Sequence, residues 1–329
     1  MIIQTNIDLH KYSTFGLRAK AKYIATITKE SEFSELSDFI ADVDAPILSL
    51  GGGSNVLFCA DYPGVIVKND LKGITRQSNG LIRCGAGTKL DDIVSFSITN
   101  QLYGLEPLSF IPGTIGGAIA LNAGAYGTTI SQWLDTLRVY DVESREFITL
   151  SRKDLTYWHR SSILRKQRGS KWIIVDVLLG LAELPVTSNH PKVPSDLHGQ
   201  SLREEIKILR SHLPDPAQIQ NAGSFFLNPI VTDQRANKIL KDHPGCAMRK
   251  YDSKHFQLAS GWLIEKAGLK GKVIDDFLIS NSHANIVINQ NPRATGQDVK
   301  RFVEKVNTYI SEMFGIYIEP EPLLIGAIL

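Results

Sequence analysis

The sequence predicts an α+β protein of more than one domain, and three observations carry that prediction. With 329 residues, 43% hydrophobic and 21% charged, the chain has an ordinary globular composition and the length of two or three domains. Residues 22–68 alternate between strand and helix patterns, whereas strand patterns dominate from Leu71 onward. Beyond Pro214-Asp215-Pro216 the patterns are mainly helical, so a separate unit is expected to begin there.

The first region is predicted to be a small α/β unit. Residues 22–28 are rich in β-branched side chains and indicate a strand. Residues 30–43 have acidic side chains at their start and apolar ones at helical spacing, which predicts a helix. Residues 46–50 and 64–68 are short apolar runs, typical of buried strands.

The middle region is predicted to be strand-rich, with a helix over residues 90–100 that carries Asp91 and Asp92 in its first turn. Residues 182–199 contain three prolines (Pro185, Pro191 and Pro194) and indicate a loop or boundary. Strands are expected at residues 81–84, 136–141, 146–150 and 172–181.

The last region is predicted to be helical around one strand. A helix over residues 202–209 precedes the proline pair. Further helices are expected at residues 232–242, 260–267 and 296–314, and a strand at residues 285–289.

Glycine-rich segments beside apolar runs are the strongest local signal in the chain. The first is Gly51-Gly52-Gly53-Ser54-Asn55, and residues 112–118 and 122–127 follow the same pattern. Glycine lets backbone N–H groups approach and surround an anion, so two such turns suit the phosphates of a dinucleotide. Neither turn has the G-x-G-x-x-G spacing, and no G-x-x-x-x-G-K-[ST] occurs. Taken singly, each segment is better explained as an ordinary structural turn than as a ligand site.

Charge and cysteine usage exclude several classes of function. The net charge is +2, from 36 basic and 34 acidic residues, which gives no general attraction for nucleic acid or for an anionic membrane. The three cysteines and eight histidines form no metal-ligand spacing. No signal peptide and no long apolar run is visible, so a cytoplasmic protein without membrane insertion is expected.

Seven segments, taken together and in order, identify a family. They are residues 12–17 (YSTFGL), 50–57 (LGGGSNVL), 111–117 with 122–127, 157–162, 221–229 (NAGSFFLNP), 261–264 (GWLI) and 319–321 (EPE). In these segments the chain resembles the UDP-N-acetylenolpyruvoylglucosamine reductases, flavoenzymes of bacterial cell-wall precursor synthesis. The resemblance spans residues 12–321, nearly the whole chain.

The resemblance implies a two-subdomain FAD-binding fold of the vanillyl-alcohol oxidase type plus a separate α/β substrate domain. The implied boundaries are residues 1–70 and 71–209 for the FAD-binding subdomains, with 317–329 returning to the second, and 210–316 for the substrate domain. The implied FAD contacts are Gly51, Gly52, Gly53, Ser54 and Asn55 in the first loop and Pro112, Gly113, Gly116 and Gly117 in the second. Neutral glycine and serine N–H donors suit a diphosphate that is held without a lysine.

The family reaction reduces an enolpyruvyl ether with NADPH as co-substrate, through FAD. Hydride addition at C3 builds negative charge at C2, so the site needs a cation near the carboxylate and a proton donor for C2. By the resemblance, Arg160 stabilises the enolate, Glu321 works beside it, and Ser224 donates the proton. A serine hydroxyl is a very poor acid, so this role fits a strongly basic carbanion and few other reactions.

The resemblance implies fewer contacts to the UDP-sugar than to FAD. Asn228 matches a substrate contact of the family. His159, His212 and Leu227 stand where tyrosine, lysine and a basic residue are expected, and residues 185–197 lack a tyrosine that one subgroup carries. Either the basic residues Arg203, Lys207 and Arg210 compensate, or the substrate differs from the usual one. A third interpretation is that these three residues form a solvated basic helix face.

Two alternatives to the leading hypothesis stay open at this level. One is a flavin oxidase or dehydrogenase of the same fold with another substrate. The other is a flavin-binding paralogue that has lost catalysis, which the joint retention of Arg160, Ser224 and Glu321 disfavours. The sequence leaves the oligomeric state and the choice of NADPH over NADH open.

Overall fold

The computed structural model describes residues 1–166, 172–188 and 190–326. They cluster into two compact units. The first unit comprises Met1–Ile7, Ala21–Gly53 and Pro63–Ser211, and the second Asp8–Lys20, Ser54–Tyr62 and His212–Leu329. The chain passes from the first unit to the second between Gly53 and Ser54, inside the first glycine segment. The three predicted domain boundaries stay predictions.

A four-stranded sheet and one helix open the first unit. The strands lie in the order Ile2–Asp8, Lys20–Ile27, Tyr62–Asn69 and Ile47–Leu50, and the last two are parallel. Helix Phe33–Val43 buries Phe33, Leu36 and Ile40, the one-sided spacing expected of an amphipathic helix. It ends where Asp44 adopts the left-handed conformation.

An antiparallel sheet forms the rest of the first unit, with strands in the order Glu146–Ser151, Leu134–Asp141, Trp172–Gly180, Leu81–Gly85 and Ile74–Arg76. Its apolar face packs against the helices, among them Leu90–Thr99 and Ile115–Leu121. The remaining helices are Ile163–Lys166 and Gly199–Arg210, and the paired short strands are Gly124–Ala125 with Thr128–Thr129 and Tyr157–Trp158 with Ser161–Ser162.

The second unit is built around a long helix, Gly296–Phe314. A capping box of Thr295 and Asp298 starts it, and Gly315 at φ 61° ends it. Its buried face, which includes Phe302, joins the main apolar cluster of this unit. The other helices are Asp233–Asp242 and Ser260–Lys266.

The strands of the second unit form separate sheets. The first sheet has the order Asn221–Ser224, Ile286–Asn289, Phe277–Ile279 and Val273–Ile274. The second has the order Ile230–Thr232, His255–Leu258 and Met248–Lys250. In the third, Leu323–Ile325 runs parallel to Val56–Phe58. The last pairing attaches the end of the described chain to the residues that follow the first glycine segment.

Most predicted elements are confirmed to within three residues at each end. No strand was predicted at Ile2–Asp8, which is mostly exposed and whose side chains lack a clear apolar alternation. Nor was one predicted at Val56–Phe58 or Leu323–Ile325, which are too short to show a period. The expectation of a mainly helical last region with one strand is wrong, because that region holds a four-stranded and a three-stranded sheet. The strands missed there are two to four residues long: Asn221–Ser224, Ile230–Thr232, Met248–Lys250, His255–Leu258, Val273–Ile274 and Phe277–Ile279. The helices that the structure describes include none with the length and apolar character of a membrane span.

Candidate active site

The two glycine turns of the first unit touch each other through their backbones. A Cβ on Gly52 would lie 2.7 Å from Gly113 Cα, and a Cβ on Gly51 would lie 2.3 Å from Thr114 Oγ1. Real Cβ atoms do not approach backbone that closely, so the packing of the turns requires glycine at position 52, whereas a Cβ on Gly51 would displace the Thr114 side chain. Gly113 also has φ +109°, a conformation that other residues rarely adopt.

The first turn presents unused backbone donors. The N–H groups of Gly52 and Gly53 form no hydrogen bond with any residue that the structure describes. In the second unit the same holds for the N–H of Asn55, while the Asn55 carbonyl accepts a bond from Leu323 N at 2.9 Å. Neighbouring N–H groups of this kind bind anions. We call Gly51–Gly53 the glycine cradle.

The second turn is held by its own helix. Thr114 caps helix Ile115–Leu121 by accepting a bond from Gly117 N at 3.5 Å. Gly116 N donates to Ala86 O at 2.9 Å, and a Cβ there would lie 3.0 Å from the same oxygen. The Gly116 N–H is therefore engaged within the protein. Contacts of Pro112, Gly113, Gly116 and Gly117 with a flavin stay predictions.

Arg160 lies in a tight hairpin of the first unit. Tyr157–Trp158 pairs with Ser161–Ser162, and Arg160 occupies the turn at φ 55°. Its Nη1 donates to Gly124 O at 2.6 Å. Asn122, the C-cap of helix Ile115–Leu121, donates to Trp158 O at 3.0 Å. The hairpin is thus fixed to the segment that follows the second turn, and the guanidinium has an anchored orientation.

Ser224 lies at the end of strand Asn221–Ser224 in the second unit, and its side chain is exposed. The strand pairs with Ile286–Asn289 through a bulge between Asn221 and Ser224. Within the bulge Gly223 has φ +70° and donates to Asn221 Oδ1 at 2.9 Å. The bulge re-aims the side chain that follows it, which here is the predicted proton donor.

Glu321 lies on a segment that runs beside the continuation of the Ser224 strand. Glu321 N donates to Phe225 O at 2.8 Å, and Leu227 N donates to Glu319 O at 2.8 Å. Buried Asn307 holds the same segment through bonds of 2.8 and 3.0 Å with the Ile318 backbone. Ser224 and Glu321 therefore lie on neighbouring segments of one unit, and Glu321 is bonded to the residue that follows Ser224.

Buried amides and a threonine, all missed by sequence reasoning, position these residues. Asn285 accepts from Phe226 N at 2.9 Å and donates to Phe226 O at 2.8 Å. Thr14 donates to Asn221 O at 2.7 Å and approaches Ser54 O at 3.5 Å. An isolated asparagine carries no signal of such a role, although Thr14 does belong to one of the seven matching segments.

Asn228 combines a structural bond with an open donor. Its Oδ1 accepts from Ser260 N at 2.9 Å, at the start of helix Ser260–Lys266. Its Nδ2 forms no hydrogen bond with any of the residues that the structure describes. The bond at Oδ1 fixes the orientation of the amide, and Nδ2 stays available to a ligand.

The basic helix Gly199–Arg210 is tied to the first unit. Arg203 donates to both carboxylate oxygens of Asp91, at 2.7 and 2.8 Å. Burial acts to raise the pKa of Asp91, but the bonds from Arg203 and from the Phe110 N–H outweigh it, so this pKa lies below its usual value. Arg210 donates to Phe110 O at 3.3 Å, and burial lowers its pKa. Lys207 is largely exposed and lies 3.9 Å from a carboxylate oxygen of Glu204. Arg203 and Arg210 are therefore bonded within the first unit, and only Lys207 resembles a solvated face.

The sequence-predicted catalytic residues thus fall into two groups: Arg160 in the first unit, and Ser224 with Glu321 in the second. Within the described part of the chain, no group of three or more histidine, cysteine or acidic side chains has the arrangement of a metal site. The chemistry these residues support is binding, charge stabilisation and proton transfer.

Comparisons with known proteins define the class and then the family. Residues 21–149 match the family model described as FAD binding domain, and together with the α+β fold this match defines a flavoprotein oxidoreductase. Residues 215–325 match the model of the UDP-N-acetylenolpyruvoylglucosamine reductase C-terminal domain. The chain belongs to the UDP-N-acetylenolpyruvoylglucosamine reductase family.

Relatives with that name align with almost the whole length of this chain and of their own chains. The protein from Chromobacterium violaceum is 31% identical over 98% of this chain and 98% of its own length. The one from Photorhabdus laumondii is 34% identical over 98% of this chain and 96% of its own. The crystal structure of the Thermus caldophilus reductase is 25% identical, covers 99% of each chain and superposes with a TM-score of 0.70. The two-subdomain FAD-binding fold with a separate C-terminal domain is confirmed.

The residues present fit FAD. A Cβ on Gly51 or Gly52 would collide with the second turn, and the glycine cradle offers unused N–H donors of the kind that bind phosphates. Near the second turn, the buried Oδ1 of Asn122 has no hydrogen-bond partner among the described residues. A buried acceptor is costly when unpaired, so an N–H group of a bound ligand would stabilise it.

Proposed function

We propose that Arg160, Ser224 and Glu321 are the catalytic residues with which this family member reduces UDP-N-acetylglucosamine enolpyruvate to UDP-N-acetylmuramate. The reaction is FAD-dependent, consumes NADPH and belongs to peptidoglycan precursor synthesis. The observation that carries the proposal is the backbone bond of 2.8 Å from Glu321 N to Phe225 O, which sets Glu321 beside the residue that follows Ser224.

When bound, FAD supplies the hydride chemistry: it takes a hydride from NADPH and passes one to C3 of the enolpyruvyl group. The carbon–carbon double bond then becomes an enolate, with its charge shared between C2 and the carboxylate. The protein has to hold that charge and deliver one proton to C2.

Ser224 is the proton donor in this proposal. Its O–H bond breaks as the C2–H bond forms, and the resulting alkoxide is reprotonated from solvent or a relay. The exposed position of Ser224 after a bulge leaves the hydroxyl accessible to a substrate. Glu321 works beside it, on the neighbouring segment that Asn307 holds in place.

Arg160 stabilises the enolate carboxylate. A guanidinium stays protonated throughout the working pH range, and its planar donors suit a carboxylate. The bond to Gly124 O and the positive φ of Arg160 restrict the directions in which this cation points. A cation whose orientation is fixed beforehand needs little reorganisation as charge develops.

The UDP-sugar contacts are proposed from Asn228, whose Nδ2 is an oriented and open donor. Of the basic trio, Lys207 is the largely exposed member, and its ammonium lies 3.9 Å from a carboxylate oxygen of Glu204. Because NADPH and nucleotide sugars are metabolites of the cytoplasm, we place the reaction there.

The test is anaerobic stopped-flow absorbance on Ser224→Ala, with Ser253→Ala as the matched control on an exposed loop. Flavin reduction by NADPH should be nearly unchanged in both variants. Reoxidation by UDP-N-acetylglucosamine enolpyruvate should slow by roughly 10²–10⁴-fold in Ser224→Ala alone. Equal slowing of both half-reactions would contradict the proton-donor role.

A further inference from the structure

A buried glutamine joins Asn228 to Arg249, an arginine that lies outside the seven matching segments. Gln257 is on the central strand His255–Leu258 of the three-stranded sheet, where it pairs with Arg249, and it is only 2% exposed. Its Oε1 accepts a bond from Arg249 Nε at 2.8 Å, and its Nε2 lies 3.5 Å from the Asn228 carbonyl oxygen. Because a guanidinium only donates and a carbonyl only accepts, these two partners fix the orientation of the amide.

Arg249 and Asn228 offer open donors at the two ends of this amide, and both residues are exposed. Arg249 forms no ion pair, and its Nη1 and Nη2 form no hydrogen bond, with any residue that the structure describes. The Nδ2 of Asn228 is open in the same sense, while its Oδ1 is bonded to Ser260 N at 2.9 Å. A guanidinium held at Nε and an amide held at Oδ1 therefore offer unused N–H groups from fixed positions.

The charge of Arg249 is of the kind that the substrate contacts otherwise lack. His212 and Leu227 stand where the resemblance leads us to expect a lysine and another basic residue. Arg249 belongs to the same unit as Asn228 and Ser224. The free N–H groups of a guanidinium suit a phosphate, because they bind two of its oxygens at once.

We propose that Arg249 is a further substrate-binding residue, which contacts the diphosphate of the UDP-sugar together with the Asn228 amide. The bond to Gln257 restricts the arginine before the substrate binds, so less side-chain freedom is lost in the complex. This inference rests on the proposed function, because the UDP-sugar is its ligand. It selects Arg249, rather than the basic helix Gly199–Arg210, as the source of the compensating charge.

The test is calorimetric titration of the oxidised holoprotein with UDP, for the wild type, Arg249→Met and the matched control Lys250→Met. Lys250 is the next residue of the same strand and faces the opposite side of the sheet, with its ammonium 5.9 Å from the centre of the Phe256 ring. The Kd for UDP should rise by about 10- to 100-fold in Arg249→Met, through loss of a charge-assisted contact, and by less than about twofold in Lys250→Met. Arg249→Lys keeps the charge and loses the two-point contact, so its Kd should lie between those of the wild type and Arg249→Met.

A second ligand and a kinetic readout exclude a purely structural role. Uridine, which has no phosphate, should bind equally to Arg249→Met and to the wild type in an NMR titration. In anaerobic stopped flow, the concentration of enolpyruvyl sugar that gives half of the maximal reoxidation rate should rise in Arg249→Met by a larger factor than the maximal rate falls.

Equal UDP affinity in the Met variants of Arg249 and Lys250 would overturn the proposal. So would a uridine affinity that falls as much as the UDP affinity in Arg249→Met. If Arg249→Met does not fold, Arg249→Gln makes the same comparison. Failure here with a wild type that binds UDP and turns over leaves the proposed function standing, whereas a wild type that neither binds UDP nor is reoxidised by the enolpyruvyl sugar removes both.

Discussion

The glycine cradle and the Ser224–Glu321 segments are positioned by opposite means. The cradle depends on what its residues lack, because two turns approach so closely that a Cβ on Gly52 would lie 2.7 Å from Gly113 Cα. The Ser224–Glu321 segments depend on added bonds, from the amides of Asn285 and Asn307 to neighbouring backbone. Glycine clusters are visible in a sequence, whereas single buried asparagines look like any others. Turns that require glycine by close approach are therefore easier to predict than segments that are held by hydrogen bonds from single amides.

The largest effect should follow from Glu321→Gln, which keeps the size of the side chain and removes its charge. The proposed role of Glu321 lies in the reaction with the enolpyruvyl substrate, so flavin reduction by NADPH should be spared. Reoxidation should slow by about 10²-fold or more in anaerobic stopped flow. Glu319→Gln, two residues away with an exposed side chain, serves as the control. Full turnover in Glu321→Gln would remove this residue from the site.

A smaller but still large effect is expected for Asn285→Ala. The substitution leaves the buried N–H and C=O of Phe226 without their partners, which should cost about 2–4 kcal/mol of unfolding free energy. Urea unfolding measures the loss, and Asn281→Ala, on an exposed turn, should change stability little. If both variants unfold alike, the amide does not hold the strand.

Gly52→Ala tests whether the two glycine turns pack as closely as described. Its Cβ would meet the Gly113 backbone, so the apoprotein should lose about 1–3 kcal/mol of stability through overpacking. Gly117→Ala is the contrast, since the nearest atom to its Cβ is Thr114 Oγ1 at an ordinary 3.7 Å. Thermal unfolding of apo Gly117→Ala should match or exceed the wild type. A stable apo Gly52→Ala would mean that the turns do not pack as described.

The smallest predicted effect lies outside both regions, at Glu32. This carboxylate accepts bonds from the N–H groups of Thr28 and Lys29 at 2.7 and 3.1 Å. Burial acts to raise its pKa, but these bonds and the ion pair with the Met1 ammonium at 2.9 Å outweigh burial and lower the pKa to about 2.

A carboxylate whose pKa is lower in the folded state than in the unfolded state stabilises the protein at pH values above the unfolded pKa. This stabilisation is lost as the pH falls through the folded pKa. Glu32→Gln should therefore cost about 1 kcal/mol at pH 7. In urea titrations its difference from the wild type should shrink between about pH 5 and pH 3. Exposed Glu146→Gln is the control, and a cost for Glu32→Gln that is constant with pH would contradict the account.

Much of the fold could be predicted from periodicity, because long elements such as Gly296–Phe314 repeat their apolar positions over several turns. Short strands such as Val56–Phe58 could not, since three residues define no period and their pairing with Leu323–Ile325 is set by distant sequence. At the site, Ser224 and Glu321 were selected by segment resemblance. The hydrogen bond from the Lys68 ammonium to Gly51 O was not predicted. In the sequence, a lysine at the end of an apolar strand looks like an ordinary solvated side chain.

The central claim is that this chain passes a hydride from NADPH to an enolpyruvyl sugar through FAD. The direct measurement is anaerobic double-mixing stopped flow on the wild-type holoprotein, with NADPH first and UDP-N-acetylglucosamine enolpyruvate second. We predict that the oxidised flavin band disappears after mixing with NADPH and returns rapidly after mixing with the enolpyruvyl sugar. A flavin that is reduced by NADPH and stays reduced in the presence of the sugar would contradict it, and rapid reoxidation by oxygen would then favour an oxidase with another substrate.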